Sequence, residues 1–335
     1  MICIANLENI GIKINKLDIK YMKKVLFLCY YSGFNHTEHI LYKKIFFDST
    51  KYSVYTIKFH SEIRKEKFEQ FDFIFCGCFT RNKNIIDKYS NKMYLDILEP
   101  IEFRKNDNTF SIYKKDTFLG YMGCIPYGPK SVKYPLYFEY MGDNRTEKIN
   151  EIQNYIKNIN FEEFSNKQFC YLINRHDNGN TRTAIFQKLS QIEKIICPSK
   201  LFNNYSNEEF EEEGTNNFRK RFIFSICPEN FITTLDGYVT EKIYMALSNG
   251  NIPIYYGKLD EIDKKIFNIN RILWFNPIDE QSIQETYEKV LELVKDKQKL
   301  FEFYKQPLFL ETAIDTLDAM ENDYINTVKS WLNID

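Results

Sequence analysis

The sequence predicts an α/β protein of two domains, each built on its own parallel sheet. Three observations lead there. Short apolar runs alternate with amphipathic stretches through the first half, the alternation restarts after a polar helical stretch at 147–165, and every apolar run is strand-sized. At roughly 150 residues per domain, 335 residues fit about two domains.

Composition narrows the function classes. Hydrophobic residues make up 44% and charged residues 27%, an ordinary mix for a chain able to bury a sizeable core. Lys+Arg total 45 against Asp+Glu 46, a net charge of −1, which argues against a protein held to nucleic acid by phosphate neutralisation. No apolar run approaches the ~20 residues of a membrane helix. Residues 1–13 lack a basic flank followed by an apolar stretch, so no secretory signal or membrane anchor is visible and a cytoplasmic location is expected. None of the eight cysteines forms a C-x-x-C pair or stands with His at zinc-ligand spacing. They read as free buried thiols, which suits a reducing compartment.

The elements follow in order. Residues 23–30 (KKVLFLCY) read as a strand, and Asn35 stands ready to cap a helix over 36–47, with Ile40, Leu41, Ile45 and Phe46 on one side. Residues 52–59 alternate as a strand does, and 71–79 (FDFIFCGCF) and 92–98 are buried strands. Residues 103–146, with Gly120, Gly123, Pro126, Gly128 and Pro129, read as a loop-rich edge. Beyond the 147–165 connector, strands fall at 169–174, 194–197, 222–227, 252–256 and 272–275. Helices fall at 181–191 and 237–249, the latter closed by Gly250. Two long helices, about 279–297 and 311–333, end the chain; the second carries Ala313, Leu317, Met320, Tyr324, Val328 and Trp331 at core-packing spacing. The domains are therefore placed at 1–146 and 147–310, followed by a C-terminal helix at 311–335.

One segment carries chemistry: 222–257, FIFSICPENFITTLDGYVTEKIYMALSNGNIPIYYG. It reads as strand, loop, helix, strand, with polar side chains where the first strand ends. On the helix, Val239, Ile243, Ala246 and Leu247 share the sheet-facing side, while Tyr238, Glu241 and Lys242 project from the first turns away from that stripe. A lysine at the positive end of a helix makes sense with an anion in front of it; the plainer reading is a solvated Glu–Lys pair. A second strand end, 169–174, leads through 175–180 to a helix opening with Thr181 and Arg182. Arg182 and Lys242 together suit a diphosphate, one as a bidentate fork and the other as a point charge. No D-x-D pair of the metal–diphosphate kind is present.

Gly-Tyr-Val-Thr-Glu-Lys-Ile at 237–243, with Glu229-Asn230 before it and Ile-Pro-Ile-Tyr-Tyr-Gly at 252–257 after it, resembles the signature of the α-1,3/4-fucosyltransferases, glycosyltransferase family 10. Asn174, Arg182, Phe186 and Leu189 resemble an upstream segment of that family. Residues 94–100 (YLDILEP) resemble the strand that delivers its acidic residue, and 134–137 (YPLY) a motif that follows. The resemblance is firm over about 168–276, thin over 71–140, and absent over 1–70 and 300–335. It implies a GT-B-like fold, two Rossmann-like domains facing a cleft, with the donor GDP-fucose on the C-terminal side. It also implies an inverting single displacement onto a hydroxyl of a glycan acceptor in an α-1,3-type linkage, without a metal or other cofactor. Residue by residue, Arg182 and Lys242 would hold the diphosphate, Tyr238 and Glu241 would contact ribose and sugar, Asn230 would lie near the fucose, and Glu99 would be the general base, with Glu102 second. A different nucleotide sugar, or a non-catalytic sugar- or nucleotide-binding protein, are the alternatives.

The chain departs from the family pattern in places. The 230–238 loop is longer, Tyr256 stands where Trp is usual, and His176 and Asp177 replace smaller polar residues ahead of Arg182. Without a membrane anchor, the chain looks more like soluble bacterial or viral members. Elsewhere, His36, Glu38 and His39 cluster, but without a third ligand they read as a helix surface.

Overall fold

The computed structural model describes residues 22–28, 35–46, 51–57, 68–77, 83–97, 118–124 and 130–334. Contacts divide the chain into two compact units, Met1–Tyr134 with Met320–Asp335, and Pro135–Ala319. No described helix is long and apolar enough to cross a membrane.

The first unit carries a six-stranded, all-parallel sheet in the order β2-β1-β3-β4-β5-β6. Its strands are β1 (Lys23–Leu28), β2 (Tyr52–Ile57), β3 (Phe73–Gly77), β4 (Met93–Ile97), β5 (Gly120–Gly123) and β6 (Ser131–Lys133). The continuous apolar runs read as β1, β3 and β4 are buried, as parallel strands covered on both faces must be. Helix α1 is short, Tyr42–Ile45, with turns over 36–41 in place of a full helix, yet Ile40, Leu41, Ile45 and Phe46 are all buried as the periodicity requires. Helix α2 is Lys83–Tyr89.

Residues 103–146 were expected to be a loop-rich edge; their described part instead supplies β5, β6 and helix α3 (Leu136–Met141). The glycine that reads as a turn signal is a packing device. Gly120 stands opposite Tyr94, and a Cβ there would come within 2.8 Å of the Trp331 ring, which stacks on Tyr94 at 5.6 Å. Absence of a side chain at Gly120 gives the indole its place on the sheet.

His39 corrects the helix-surface reading. It is buried, its Nδ1 accepts from the backbone N–H of Leu41 and Tyr42, and its Nε2 meets the Tyr134 hydroxyl at 3.1 Å. Burial, with Lys43 adding to it, holds its pKa down to about 3, so the ring is neutral and Nε2 carries the proton.

The second unit carries a five-stranded, all-parallel sheet in the order β11-β10-β9-β7-β8. The strands are β7 (Gln168–Tyr171), β8 (Ile195–Ile196), β9 (Phe222–Ile226), β10 (Ile252–Tyr255) and β11 (Leu273–Trp274). From β7 the chain goes first to β8 on one side and then to β9 on the other. The switch point, where ligands of open α/β sheets bind, therefore lies between β7 and β9.

The helices of this unit are α4 (Arg145–Asn158), α5 (Phe161–Ser165), α6 (Thr183–Leu189), α7 (Asn207–Glu213), α8 (Thr215–Lys220), α9 (Glu241–Leu247), α10 (Glu280–Lys295) and α11 (Lys297–Tyr304). Helices α7 and α8 escaped the sequence reading: an acidic, Asn-rich run has no apolar stripe except Phe210 and Phe218, which pack with Tyr171 and Phe222. The last helix, α12 (Ala313–Leu332), buries Ala313, Leu317, Met320, Tyr324 and Val328 as its spacing predicts.

Gly250, in the left-handed region at φ +80°, ends the α9 segment as expected. The carbonyls left there are met by Arg271, which is fully buried. It donates to Asn251 O at 2.6 Å, Gly250 O at 3.0 Å and Tyr304 O at 2.9 Å, and lies over the Tyr304 ring. Burial lowers its pKa to about 10, so it remains a cation at neutral pH. Arg271→Met should strip these carbonyls of their donors and lower stability by about 3 kcal/mol or more; urea unfolding of the variant measures it.

Candidate functional site

The site is organised around a carboxylate that the sequence reading left without a role. Beyond the end of β9, pairing with β10 continues: Cys227 N donates to Ile254 O and Glu229 N to Tyr256 O. This register carries Glu229 into the interior, where it has no exposed surface. Its carboxylate accepts from Thr240 N at 2.8 Å, Thr240 Oγ1 at 2.6 Å and Tyr255 Oη at 2.7 Å, and from Lys242 Nζ at 3.4 Å. A buried carboxylate persists only when it is paired and hydrogen-bonded, and here both oxygens are.

Glu229 also decides where α9 begins. The helix was expected from Gly237, with Tyr238 projecting from its first turn. It starts instead at Glu241, with Thr240 as N-cap. The Thr240 hydroxyl does not cap the helix; it donates to Glu229 and accepts from Lys242 at 2.9 Å. Thr240 is held off the helical path by these bonds, and ahead of it Gly237 lies in the left-handed region at φ +92° with its N–H on Lys258 O. Tyr238 therefore lies ahead of the helix and is fully buried. The core stripe is as predicted: Val239, Ile243, Ala246 and Leu247 are at most 1% exposed.

A second set of bonds builds the segment between β7 and α6. Asp177 accepts from the backbone N–H of Thr181, Arg182 and Thr183 and from the Thr183 hydroxyl at 2.7 Å. Burial raises its pKa, but these donors outweigh it and leave the carboxyl below its ordinary value. Asp177 is thus the cap of α6, where sequence reasoning read only a departure from the family pattern.

Arg182, at the N-cap position, is 1% exposed. It donates to Asn230 Oδ1 at 2.8 Å and Pro228 O at 3.4 Å and faces Asp177 at 3.5 Å. Burial lowers its pKa and the charges of Asp177 and Glu229 oppose that. Its buried Nε has no hydrogen-bond partner among the described residues. Thr181 Oγ1 donates to Glu229 O at 2.8 Å. Gly179 lies so close to this strand end that a Cβ would fall 1.9 Å from Asn230 O.

The structure therefore brings Arg182 and Asn230 together, and sets Lys242 beside Glu241, with Nζ to Oε1 at 3.4 Å. Neighbouring Glu229 and Asn230 tie the two pairs. Glu99 and Glu102 lie outside the described residues. Glu241 and Lys242 line a cavity of about 100 Å³ at the switch point, with Tyr171, Asn174, Cys227 and Arg219. A larger cavity of about 670 Å³, between α4, α8 and α9, is lined by none of the residues read from the sequence, although Met245 borders both. The charged pair of the 237–243 motif lines the smaller one. Among the described residues no three His, Cys, Asp or Glu side chains come together as a metal site. Tyr256, in the position where Trp is usual, is buried against Phe275 as a packing residue.

Two parallel sheets, with a cation–carboxylate cavity at the switch point of the second, define a chain of the GT-B-like α/β class. Residues 163–315 match the model of glycosyltransferase family 10 (fucosyltransferase), C-terminal part. The chain thus resembles the fucosyltransferases of that family over the region its motifs marked. An alpha-(1,3)-fucosyltransferase FucT of Helicobacter pylori is 32% identical over 89 residues, 27% of this chain and 18% of that protein. A crystal structure of an α1,3-fucosyltransferase with GDP-fucose superposes with a TM-score of 0.60 at 16% identity, covering 94% of this chain and 91% of that one. Anabaena Alr3699/HepE in complex with UDP-glucose gives 0.51 at 9% identity, over 92% and 99%. At these identities the structures speak for the fold.

Asp177→Ala should weaken the α6 cap by about 0.5–2 kcal/mol at neutral pH. Because the folded carboxyl titrates below its ordinary range, its contribution is complete above pH ~4 and is lost as pH falls through the folded pKa. The gap between wild type and variant should therefore close on acidification, as unfolding curves at several pH values would record.

Proposed function

We propose that the chain is an inverting glycosyltransferase that moves L-fucose from GDP-fucose to a hydroxyl of a glycan acceptor, and that it needs no metal. The observation that carries this reading is the placement of Glu241 and Lys242, the charged pair of the 237–243 motif, in the cavity at the switch point of the second sheet. Strand ends at that position present polar groups to a ligand while the sheet holds them rigid.

In this reading Lys242 and Arg182 hold the diphosphate. Lys242 supplies a point charge. Arg182 supplies a guanidinium whose Nε still lacks a partner among the described residues. Asn230, fixed by Arg182, serves the sugar, and Tyr238 and Glu241 serve the ribose and the sugar. Tyr238 is fully buried, so its contact requires the 230–238 loop to move. Glu99 takes the proton of the acceptor hydroxyl. The acceptor oxygen bonds to the anomeric carbon from one face as the bond to the GDP oxygen breaks on the other, and the negative charge grows on the departing diphosphate. Cations placed there stabilise the transition state more than the ground state.

Thermal shift with a panel of nucleotides tests the donor. GDP and GDP-fucose should raise the unfolding midpoint more than UDP and its sugars, equally with and without EDTA; a ligand at 100 times its Kd adds about 2.7 kcal/mol. A uridine preference, or stabilisation that vanishes with EDTA, would overturn the reading in favour of a different nucleotide sugar or a metal-dependent site. Binding without transfer to any glycan would favour a non-catalytic binder. Lys242→Ala should depress turnover beyond what weaker GDP binding explains. Glu99→Gln should cut transfer by about 10²–10⁴-fold while leaving GDP-fucose binding intact; steady-state kinetics separate the two effects.

A further inference from the structure

The two cations assigned to the diphosphate are both already matched. Lys242 Nζ lies 3.4 Å from Glu229 and 3.4 Å from Glu241. Arg182 faces Asp177 at 3.5 Å. Two cations against three carboxylates leave this cluster with no positive charge to offer an anion, and a diphosphate brought to it would meet net repulsion.

Arg219 changes that balance. It sits in the last turn of α8 (Thr215–Lys220) and lines the same cavity as Lys242 and Glu241. It is partly exposed. Among the described residues its side chain donates to Asn216 Oδ1 at 3.4 Å, one turn back on the same helix, and no carboxylate forms an ion pair with it. Its charge nevertheless reaches the strand ends. Burial raises the Tyr171 phenol, and Arg219 is the leading opposing charge. Burial pushes the Cys227 thiol up to about 12, with Arg219 and Lys242 acting against it. A partly exposed arginine with no ion-pair partner among the described residues, lining a cavity with room for about three waters, is arranged for a small anion. Its planar fork suits phosphate oxygens.

We propose that Arg219 is a further ligand-binding residue, holding an anionic phosphoryl group in the cavity it shares with Lys242 and Glu241. The inference rests on the nucleotide-sugar reading above and adds to it the cation that lifts the cluster's net negative charge and offers phosphate an arginine not held in an ion pair among the described residues. Arg219 carries no part of the motif by which the segment was recognised; its role follows from the charge balance and the cavity wall.

Titration calorimetry with inorganic pyrophosphate and with GDP tests it, on wild type, Arg219→Gln, Arg219→Lys and, as a control for net charge, Lys297→Gln, an exposed residue outside the cavity. Arg219→Gln should weaken both ligands by about tenfold or more, the scale of one charge-assisted hydrogen bond. Arg219→Lys should restore part of the affinity, and Lys297→Gln should match wild type. On wild type, pyrophosphate should also shield Arg219 from an arginine-directed reagent such as phenylglyoxal, a readout that does not depend on how any variant folds. Equal affinity in Arg219→Gln, an equal loss in Lys297→Gln, or no pyrophosphate binding by wild type would each overturn the proposal. A protein that binds pyrophosphate through Arg219 yet prefers a nucleotide other than GDP would uphold Arg219 and remove the GDP-fucose reading.

Discussion

The second unit depends on the burial of one carboxylate. Glu229 has no exposed surface, and four donors from three places meet it: Thr240 ahead of α9, Tyr255 on β10 and Lys242 in the first turn of α9. An ionised group in the interior is tolerated only when every lone pair direction is answered. The demand works in both directions. Glu229 needs those donors, and by needing them it fixes the start of α9, the tilt of Lys242 and the orientation of the Tyr255 phenol. Tyr255 in turn is pushed well above its ordinary pKa by burial and by the Glu229 charge, so it stays a hydroxyl that donates.

The same residue joins the two halves of the site through its backbone. Its carbonyl takes the Thr181 hydroxyl, and the next residue, Asn230, takes Arg182. Asp177 locks the start of α6 from the other side with three backbone N–H groups. Lys242 and Arg182 are thus held by the protein's own hydrogen bonds, the kind of support that preorganises a side chain. That rigidity has an electrostatic consequence. Carboxylates that orient cations also neutralise them, and a site for a polyanion then requires a cation left unmatched. On the described residues Arg219 has that character.

Much of this was legible in the chain. The alternation of runs marked every strand of the second sheet, and the 3.6-residue spacing marked the buried faces of α9 and α12. The ordered motif at 237–257 marked the region that the family model matches. What failed did so for local reasons. Gly120 and Gly123 read as loop because glycine is a turn signal, whereas Gly120 is empty so that Trp331 can lie over it. Residues 237–240 read as helix because their apolar spacing is helical, whereas the bonds of Thr240 to Glu229 and the left-handed Gly237 keep them out of it. Glu229 itself was visible as half of Glu-Asn, but a glutamate in a sequence carries no mark of being buried.

Sequence alone determined what depends on neighbours along the chain: strand-sized apolar runs, amphipathic stripes, the Gly250 stop, and the residue types of a recognisable motif. Tertiary structure alone decided what depends on residues far apart. Which carboxylate faces which cation is set by strand register, here β9 against β10 and the β7–β9 switch point, and register follows from burial of the whole sheet. Arg219 and Lys242 are separated by a strand and a loop, and only packing α8 and α9 around the same strands places them in one cavity. Charge balance, which decides whether that cavity attracts phosphate, is a property of distances, and distances of this kind are not written in the order of residues.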